Sequence, residues 1–417
     1  MSLMNWKRNV IIMNRIWVIT LLLISFLAFQ CGDHISAPEI PAGRELNVSE
    51  KRLAESGNEF GLKLFRELNK DEAGNNMFIS PLSVSYALGM TLNGAVGETR
   101  EAMEKTLELH GMSVDEINKT YKSLMKFLTT LDPEVIFEIA NSIWYRQDYP
   151  VKQDFVDVNK EYFNALVRAL DFNDPASVDI INGWASENTH GLIEEVIEDI
   201  DPAAIMFLIN AIYFKGTWLY EFDPEDTKPA PFYLDNGSQA EVKMMSQRSD
   251  FNYYSNEQFQ AIDLPYGNEK FTMTVFLPHR DINIDNLIFQ MNEENWSSWI
   301  NGFPDEKVEV NLYLPRFTIE YEKSLRDVLI KLGMGIAFGG GADFSNIGGG
   351  LFISDVNHFT YVNVDEEGTE AAAVTVVEMR DSAGGPPTMR IDRPFLFVIR
   401  ENQSNTILFM GKVMNPT

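Results

Sequence analysis

Few side chains in this chain have the types and spacing that catalysis or metal binding requires. The five histidines form no His-Glu-x-x-His pair, and a single cysteine cannot build a cysteine-based zinc site. No Gly-x-Ser-x-Gly turn is present to expose a nucleophilic serine. The glycine triplets at 339–341 and 348–350 are not followed by Lys-Ser or Lys-Thr, so flexible turns are favoured over phosphate binding. We therefore predict no catalytic residue, no cofactor and no metal.

Acidic residues are the most prominent charged feature of the chain. Residues 194–201 carry five carboxylates, for which a solvated helix face is favoured over a cation site. The formal net charge of the whole chain is -27 at pH 7, which argues against nucleic acid as a partner. We expect this acidity mainly to keep an extracytoplasmic protein soluble, with attraction to a basic protein as a secondary effect.

The chemistry that the sequence does suggest is that of a substrate. Residues 366–377 read EEGTEAAAVTVV and alternate as a strand does, with Thr369, Ala371 and Ala373 on one face. That face is small and uncharged, and no proline bars the segment from the middle of a sheet. The segment continues into residues 379–387, a polar stretch rich in Gly and Pro that a protease could reach. A segment suited both to a protease and to a sheet implies a change of state.

The spacing of apolar residues predicts the helices and strands that must position this segment. Apolar residues at helical spacing predict helices over 49–69 and, after a proline at its start, over 81–90. Alternating or β-branched runs predict strands over 135–145, 239–245, 270–277 and 307–313. Strands and helices alternate without a βαβ rhythm, which favours an α+β fold. The chain has 417 residues, 45% of them hydrophobic, and its length alone would suggest two or three domains.

Several sequence blocks resemble those of the serpin family and follow in that family's order. The hinge block consists of Glu367, Gly368, Thr369, Glu370, Ala371, Ala372 and Ala373. The other blocks are residues 76–83, 208–218, 242–245, 264–266, 314–317, 393–397 and 408–416. The resemblance implies a single domain over residues 49–417 with the serpin fold. That fold has three β-sheets, about eight or nine helices and an exposed reactive-centre loop, here about residues 367–392.

The resemblance implies an endopeptidase inhibitor rather than an enzyme. A serine protease, or a cysteine protease, attacks the loop as a substrate and forms an acyl-enzyme. The cut loop then inserts into the main sheet and carries the protease with it. The expected partner is therefore a serine protease in a covalent complex, and the expected protein is a monomer. The alternatives are a non-inhibitory serpin acting as a binding or chaperone protein, which charge or bulk in the hinge would favour, and a structural surface lipoprotein.

The reactive bond lies within a short stretch of small residues. Counting fourteen residues on from the hinge glycine gives Ser382, with cleavage before Ala383. Counting back from the block that follows the loop gives Ala383, with cleavage before Gly384. Small side chains suit proteases of the elastase or subtilisin kind, whereas a trypsin-like pocket needs a cation. Arg380 supplies such a cation and is the alternative reactive residue.

The resemblance also assigns roles to five residues within the fold. Ser80, Ser83, Asn210 and His358 match the shutter, a hydrogen-bonded cluster beneath the main sheet where the central strands part. Trp218 matches the tryptophan of the breach, where the loop first enters the sheet. Hydroxyl groups suit a shutter because they can change partners without leaving a buried polar group unpaired.

The N terminus predicts export from the cytoplasm. Residues 17–29 form an apolar run too short to span a membrane comfortably, preceded by basic residues, so residues 1–30 read as a signal peptide. Cys31 follows at once and resembles the acylated cysteine of a bacterial lipoprotein, which would anchor the protein to a membrane. The alternative is a plain secretory signal. Residues 31–48 read as a flexible tether, and a lone cysteine excludes a disulfide within the chain.

Overall fold

The computed structural model of the protein describes residues 44–201, 203–369 and 385–417. The helices in these ranges are α1 Val48–Asn69, α2 Pro81–Leu92, α3 Gly97–Thr106, α4 Val114–Thr129, α5 Gln153–Phe163, α6 Ala176–Asn188, α7 Ile284–Gln290, α8 Glu293–Asn301 and α9 Arg326–Leu329. The strands are β1 Met77–Ile79, β2 Val135–Arg146, β3 Leu166–Leu170, β4 Met206–Thr217, β5 Lys228–Tyr233, β6 Gln239–Ser255, β7 Phe259–Tyr266, β8 Phe271–Pro278, β9 Val308–Pro315, β10 Phe317–Ser324, β11 Asn357–Val364, β12 Gly368–Thr369, β13 Thr388–Arg390, β14 Phe395–Glu401 and β15 Ile407–Val413.

Polar side chains fix where the first two helices begin. At α1 the Glu50 amide donates to the Asn47 side chain at 2.9 Å, and the Asn47 amide donates to the Glu50 carboxylate at 2.8 Å. This reciprocal capping box satisfies amides that the first turn leaves unpaired. At α2, Ser80 is the N-cap and Pro81 occupies the first turn, where no amide hydrogen is needed. Both helices predicted from the sequence are confirmed.

A six-stranded sheet with the order β10-β11-β12-β4-β2-β3 positions the candidate site. β2 and β4 form its longest antiparallel pair, from Val135 opposite Gly216 to Tyr145 opposite Met206. β3 extends the sheet in parallel at one edge, and β10 pairs with β11 at the other. The short strand β12 lies between β11 and β4. The segment that the sequence marked as a possible central strand therefore enters this sheet at its first residues.

The other strands form two sheets that share one long strand. β6 pairs with β5 and, through residues 244–251, with β9, while its residues 252–255 pair with β7. Strands β14 and β15 are buried along their whole length. Phe214 on β4 meets Phe409 on β15 at a centroid distance of 6.2 Å, and Phe409 stacks on Phe78 at 5.1 Å, so the main core lies between the six-stranded sheet and β15. The predicted α+β fold with three sheets is confirmed.

The predicted strand over residues 366–377 begins later than the alternation indicated. Glu366 and Glu367 lie in a bend, and the strand starts at Gly368. The reason is a tight turn in which the Asp365 amide donates to the Gly368 carbonyl at 3.0 Å. Residues 370–384 lie outside the described residues, so the remainder of that strand stays a prediction.

The acidic run at 194–201 is not helical, so its interpretation as a helix face was wrong. The Asn182 side chain on α6 binds the backbone of this segment instead. It accepts from the amides of Val196 and Ile197 at 2.9 and 3.1 Å and donates to the Ile197 carbonyl at 2.8 Å. These bonds satisfy the backbone locally and hold the segment in an irregular conformation.

Across the described ranges, no helix has the length and apolar character needed to span a membrane.

Candidate functional site

The hinge enters the six-stranded sheet as the short strand β12. Gly368 lies opposite Thr217 and Thr369 opposite Gly216 on β4, and Thr369 also pairs with Val364 on β11. A Cβ atom at position 368 would lie 2.1 Å from the Gly216 carbonyl oxygen. The two backbones approach so closely that only glycine fits at this position.

The Thr369 side chain is buried beneath the sheet surface. The residue is 4% exposed, and its hydroxyl lies 2.7 Å from the hydroxyl of Tyr266. The Tyr266 ring stacks on Trp218 with a centroid distance of 4.5 Å and 13° between the planes. Burial raises the pKa of the Tyr266 phenol well above its usual range, so the phenol remains protonated. The first inward-facing hinge residue thus completes a buried pair of hydroxyl groups.

Trp218 contacts the turn that precedes this strand. Its amide donates to the Glu367 carbonyl at 2.7 Å, and its indole nitrogen donates to the Asp365 carbonyl at 3.0 Å. The Phe222 amide donates to the Glu366 carbonyl at 2.8 Å. The residue that the resemblance assigned to the breach therefore lies in direct contact with the hinge.

An ion pair between Glu366 and Arg316 also holds the hinge turn. The Glu366 carboxylate accepts from Arg316 Nε at 2.7 Å and lies 2.5 Å from Arg316 Nη2, and it also accepts from the Thr227 hydroxyl. The Glu366 side chain is 4% exposed, so this charge depends on its partners. Arg316 and Tyr266 were not predicted as site residues, although both stand in blocks that carried the resemblance.

Glu367 has a less favourable setting than Glu366. Burial raises the pKa of its carboxyl group, and the negative charges of Asp365 and Glu221 raise it further, while Lys215 acts in the opposite direction. No side chain among the described residues donates a hydrogen bond to it. The hinge turn therefore carries one carboxylate that is ion-paired with an arginine and one that accepts no hydrogen bond from a described side chain.

The four residues assigned to the shutter lie together beneath the sheet. The Ser80 amide donates to His358 Nε2 at 3.0 Å, and the Ser83 hydroxyl donates to Asn210 Oδ1. The Ser83 amide donates to Ser80 Oγ at 3.2 Å, which connects the two pairs. Burial lowers the pKa of His358 to about 4, so the ring is neutral and its Nε2 can accept a hydrogen bond.

One further shutter residue was missed by the sequence analysis. Asn210 donates from Nδ2 to Asn141 Oδ1 on β2 at 2.6 Å, and Asn141 donates to the Phe163 carbonyl at 2.7 Å. The apolar alternation of β2 gave only a weak signal, a polar residue at a position that proves buried. The cluster thus includes side chains from three strands of the sheet, β11, β4 and β2.

The space next to the hinge is narrow. A cavity of about 20 Å³ lies between β4 and β11, where Tyr213, Phe214 and Val362 line it together with Thr369. Such a volume holds about one water molecule and no metabolite. Within the described ranges, no three His, Cys, Asp or Glu side chains are grouped to hold a metal. Among the described residues, the cavity beside the hinge is therefore too small for a metabolite.

Several predicted residues lie outside the described residues. They are the hinge residues Glu370, Ala371, Ala372 and Ala373, the reactive-bond candidates Arg380, Ser382, Ala383 and Gly384, and Cys31. The described chain resumes at Gly385, and β13 then runs parallel to β9.

Known proteins match this chain over most of its length. The profile of a family described as Serpin (serine protease inhibitor) matches residues 55–416. Human neuroserpin is 32% identical over 372 residues, which cover 86% of this chain and 90% of that protein. The solved structure of tengpin, a thermophilic serpin in its native state, gives a TM-score of 0.80 at 32% identity, covering 89% of this chain and 96% of tengpin. Human thyroxine-binding globulin gives a TM-score of 0.80 at 28% identity, covering 88% of this chain and all (100%) of the globulin chain.

Proposed function

Because the chain belongs to the serpin family, we propose that it inhibits serine proteases, with cysteine proteases as a second class of target, by trapping them on its reactive-centre loop. Serpins are generally protease inhibitors rather than enzymes. The target protease attacks the loop and forms an acyl-enzyme with it. The cut then frees the segment that follows Thr369 to enter the sheet.

One observation carries this proposal: the hinge has already begun a strand. Gly368 and Thr369 pair with β4, Thr369 pairs with β11, and the Thr369 hydroxyl is buried against Tyr266. An inserting segment would extend a ladder that exists rather than start a new one. The fourteen residues from Thr369 to Ser382 would span about 46 Å as a strand, at about 3.3 Å per residue. That length is enough to move an attached protease far from its point of attack.

The proposed targets are proteases that cut after small residues. Ser382 or Ala383 would fit a small pocket of the elastase or subtilisin kind. Arg380 would be the reactive residue for a trypsin-like protease. We propose that one protease molecule forms a covalent acyl bond with one molecule of this protein, and that this protein is a monomer.

A gel after mixing the protein with elastase, subtilisin or trypsin tests the proposal. We expect a denaturant-resistant complex with one of them and release of a small C-terminal fragment that begins at Ala383 or Gly384. A fragment that begins at Asp381 would move the reactive residue to Arg380. Cleavage without any trapped protease would contradict the inhibitory proposal.

That last outcome would favour a second function, a non-inhibitory serpin that acts as a binding or chaperone protein. Thyroxine-binding globulin, whose name states a binding function, has a similar fold. We favour inhibition because residues 369–373 contain no proline and no bulky side chain, and because positions 369, 371 and 373, which would share the inward face of an inserted strand, are small and uncharged.

We further propose that residues 1–30 direct export and that Cys31 carries a lipid, which would make the protein a cell-envelope lipoprotein tethered through residues 31–48. Labelled palmitate should be incorporated into the protein but not into a Cys31→Ala variant. A Cys31→Ala variant that stays in the membrane fraction would contradict the lipid anchor, and a secreted protein would remain the alternative.

A further inference from the structure

Tyr266 is held in place by neighbours that do not belong to the hinge. Its ring stacks on Trp218 and meets Phe214 edge-on at a centroid distance of 5.1 Å and 71° between the planes. A Cβ atom at Gly216 would lie 2.7 Å from the Tyr266 ring, so the ring lies directly against the backbone of β4. The position of the phenol hydroxyl is therefore set by β4 and the residue that follows it, whatever residue 369 does.

We infer that Tyr266 is a positioning residue for loop insertion, whose hydroxyl selects a hydroxyl side chain at position 369. The inference rests on the proposed inhibitory function. Tyr266 is fully buried, and the Thr369 hydroxyl, 2.7 Å away, is its only hydrogen-bond partner among the described residues. A buried hydroxyl without a partner is unfavourable. The phenol therefore favours a docked hinge only when residue 369 can exchange a hydrogen bond with it.

Substitutions at position 369 can distinguish the effect of side-chain size from the effect of the hydroxyl group. Valine has the shape of threonine without the hydroxyl, so it would fill the same space and leave the phenol unpaired. Serine keeps the hydroxyl and loses only a methyl group. In the native protein we expect Thr and Ser at position 369 to perform similarly and Val to perform worse. In a Tyr266→Phe background that order should disappear.

A double-mutant cycle of Tyr266→Phe and Thr369→Val measures the contact directly. The readout is the number of inhibitor molecules cleaved for each elastase molecule trapped. Each single variant should raise that number about fivefold, because each loses one net hydrogen bond and leaves the partner group unpaired. The double variant should be no worse than either single variant, because neither hydroxyl is then left unpaired. Effects that multiply to about 25-fold in the double variant, or a Tyr266→Phe variant that traps as well as wild type, would overturn the inference.

A second readout needs no protease and separates this inference from the proposed function. The amides of Trp218 and Phe222 donate to hinge carbonyls, so their hydrogen exchange reports whether the hinge is docked. Both single variants should speed this exchange, and the double variant should add nothing. If wild type traps no protease but the exchange cycle shows this coupling, the role of Tyr266 stands and the inhibitory function fails. If the exchange effects of the two substitutions are independent, the role of Tyr266 fails.

Tyr86→Phe is the matched control for the loss of a buried tyrosine hydroxyl. The Tyr86 hydroxyl donates to the Tyr121 carbonyl at 2.7 Å in a buried site between α2 and α4. Its removal should lower the urea midpoint of unfolding but should show no coupling with Thr369→Val in either readout. Coupling as strong as that of Tyr266→Phe would mean that any loss of core stability loosens the hinge, and would overturn the specific role of Tyr266.

Discussion

Two polar clusters contact the six-stranded sheet, and they differ in charge: the hinge cluster contains an ion pair, whereas the shutter contains only neutral groups. At the hinge end the partners come from the hinge itself, as the Glu366 carboxylate binds Arg316 and Thr369 binds Tyr266. At the shutter the groups are neutral, and none of them belongs to the hinge. Under the proposed mechanism, the hinge contacts would form or break with the docking of residues 366–369, and the shutter contacts with the separation of the strands.

The difference in charge sets the cost of disturbing each cluster. Removing one partner of a buried ion pair leaves a charge without compensation, which costs more than a lost hydroxyl contact. Neutral hydroxyl and amide groups such as those of Ser83 and Asn210 can exchange partners as strands separate. The hinge cluster is thus suited to fix a starting position, and the shutter to let the sheet open.

The largest expected effect comes from placing a charge in the hinge cluster. Thr369→Arg would put a cation where the native side chain is buried, beside a cavity that no carboxylate among the described residues lines, at a cost of about 3–5 kcal/mol. Insertion should stall, so the acyl-enzyme has time to hydrolyse. We expect a variant that is cut at the native bond but leaves active protease, as seen by gel and by residual protease activity.

The matched control is Glu370→Arg, which carries the same new charge one residue further on. In an inserted strand that continued past Thr369, alternation would direct residue 370 to the opposite face, so the variant should inhibit far better than Thr369→Arg. A Thr369→Arg variant that forms covalent complex with the stoichiometry of wild type would show that the hinge need not be buried during inhibition.

The next largest effect is a pH dependence that originates in the shutter. Burial lowers the pKa of His358 to about 4, below its ordinary value of about 6.5. The contribution of a neutral His358 to stability is therefore complete above about pH 6.5 and is lost as the pH falls toward 4. The gap between the two pKa values corresponds to about 3 kcal/mol. Urea midpoints measured from pH 7.5 to 4.5 should fall more steeply in wild type than in His358→Gln.

The same measurements also test whether His358 is the main source of the pH dependence of stability between pH 7.5 and 4.5. His190, whose Nε2 lies 2.8 Å from Glu138 on the sheet surface, serves as the control histidine because it is half exposed. His190→Gln should leave most of the pH dependence in place. Equal slopes for wild type and His358→Gln would assign the acid sensitivity to other groups.

A smaller effect is expected from opening the ion pair of the hinge. Arg316→Gln would leave the buried Glu366 carboxylate with the Thr227 hydroxyl but without its cation, and should loosen the hinge by about 1–3 kcal/mol. The double variant Arg316→Gln/Glu366→Gln should recover part of that loss, because no charge is then left unpaired. Hydrogen exchange of the Phe222 amide measures both. A double variant worse than the single one would argue against the charge as the cause.

The sequence predicted those structural features that depend on local residue patterns, namely helices and strands. The helices over 49–69 and 81–90 and the four strands follow from periodicity, and the structure confirms them. The pairings Thr369–Tyr266 and Glu366–Arg316 join residues 103 and 50 positions apart, so no local pattern could show them. The shutter set came from resemblance, and its member Asn141 stayed hidden in an ordinary strand. Alternation also missed the turn that delays the hinge strand to Gly368.

The smallest predicted effect has a pH dependence of the opposite sign and lies at the hinge. Burial and the charges of Asp365 and Glu221 raise the pKa of Glu367, so its charged form disfavours the docked turn. That cost is present above the raised pKa and disappears as the pH falls through it, since the free hinge titrates near the ordinary value. The hinge should therefore dock more firmly in mild acid, where the shutter becomes weaker. Exchange of the Trp218 amide, corrected for intrinsic rate, should slow as the pH falls from 7 to 5 in wild type and stay level in Glu367→Gln. Equal pH dependence in both proteins would show that Glu367 does not set it, and would leave the hinge cluster, unlike the shutter, insensitive to acid.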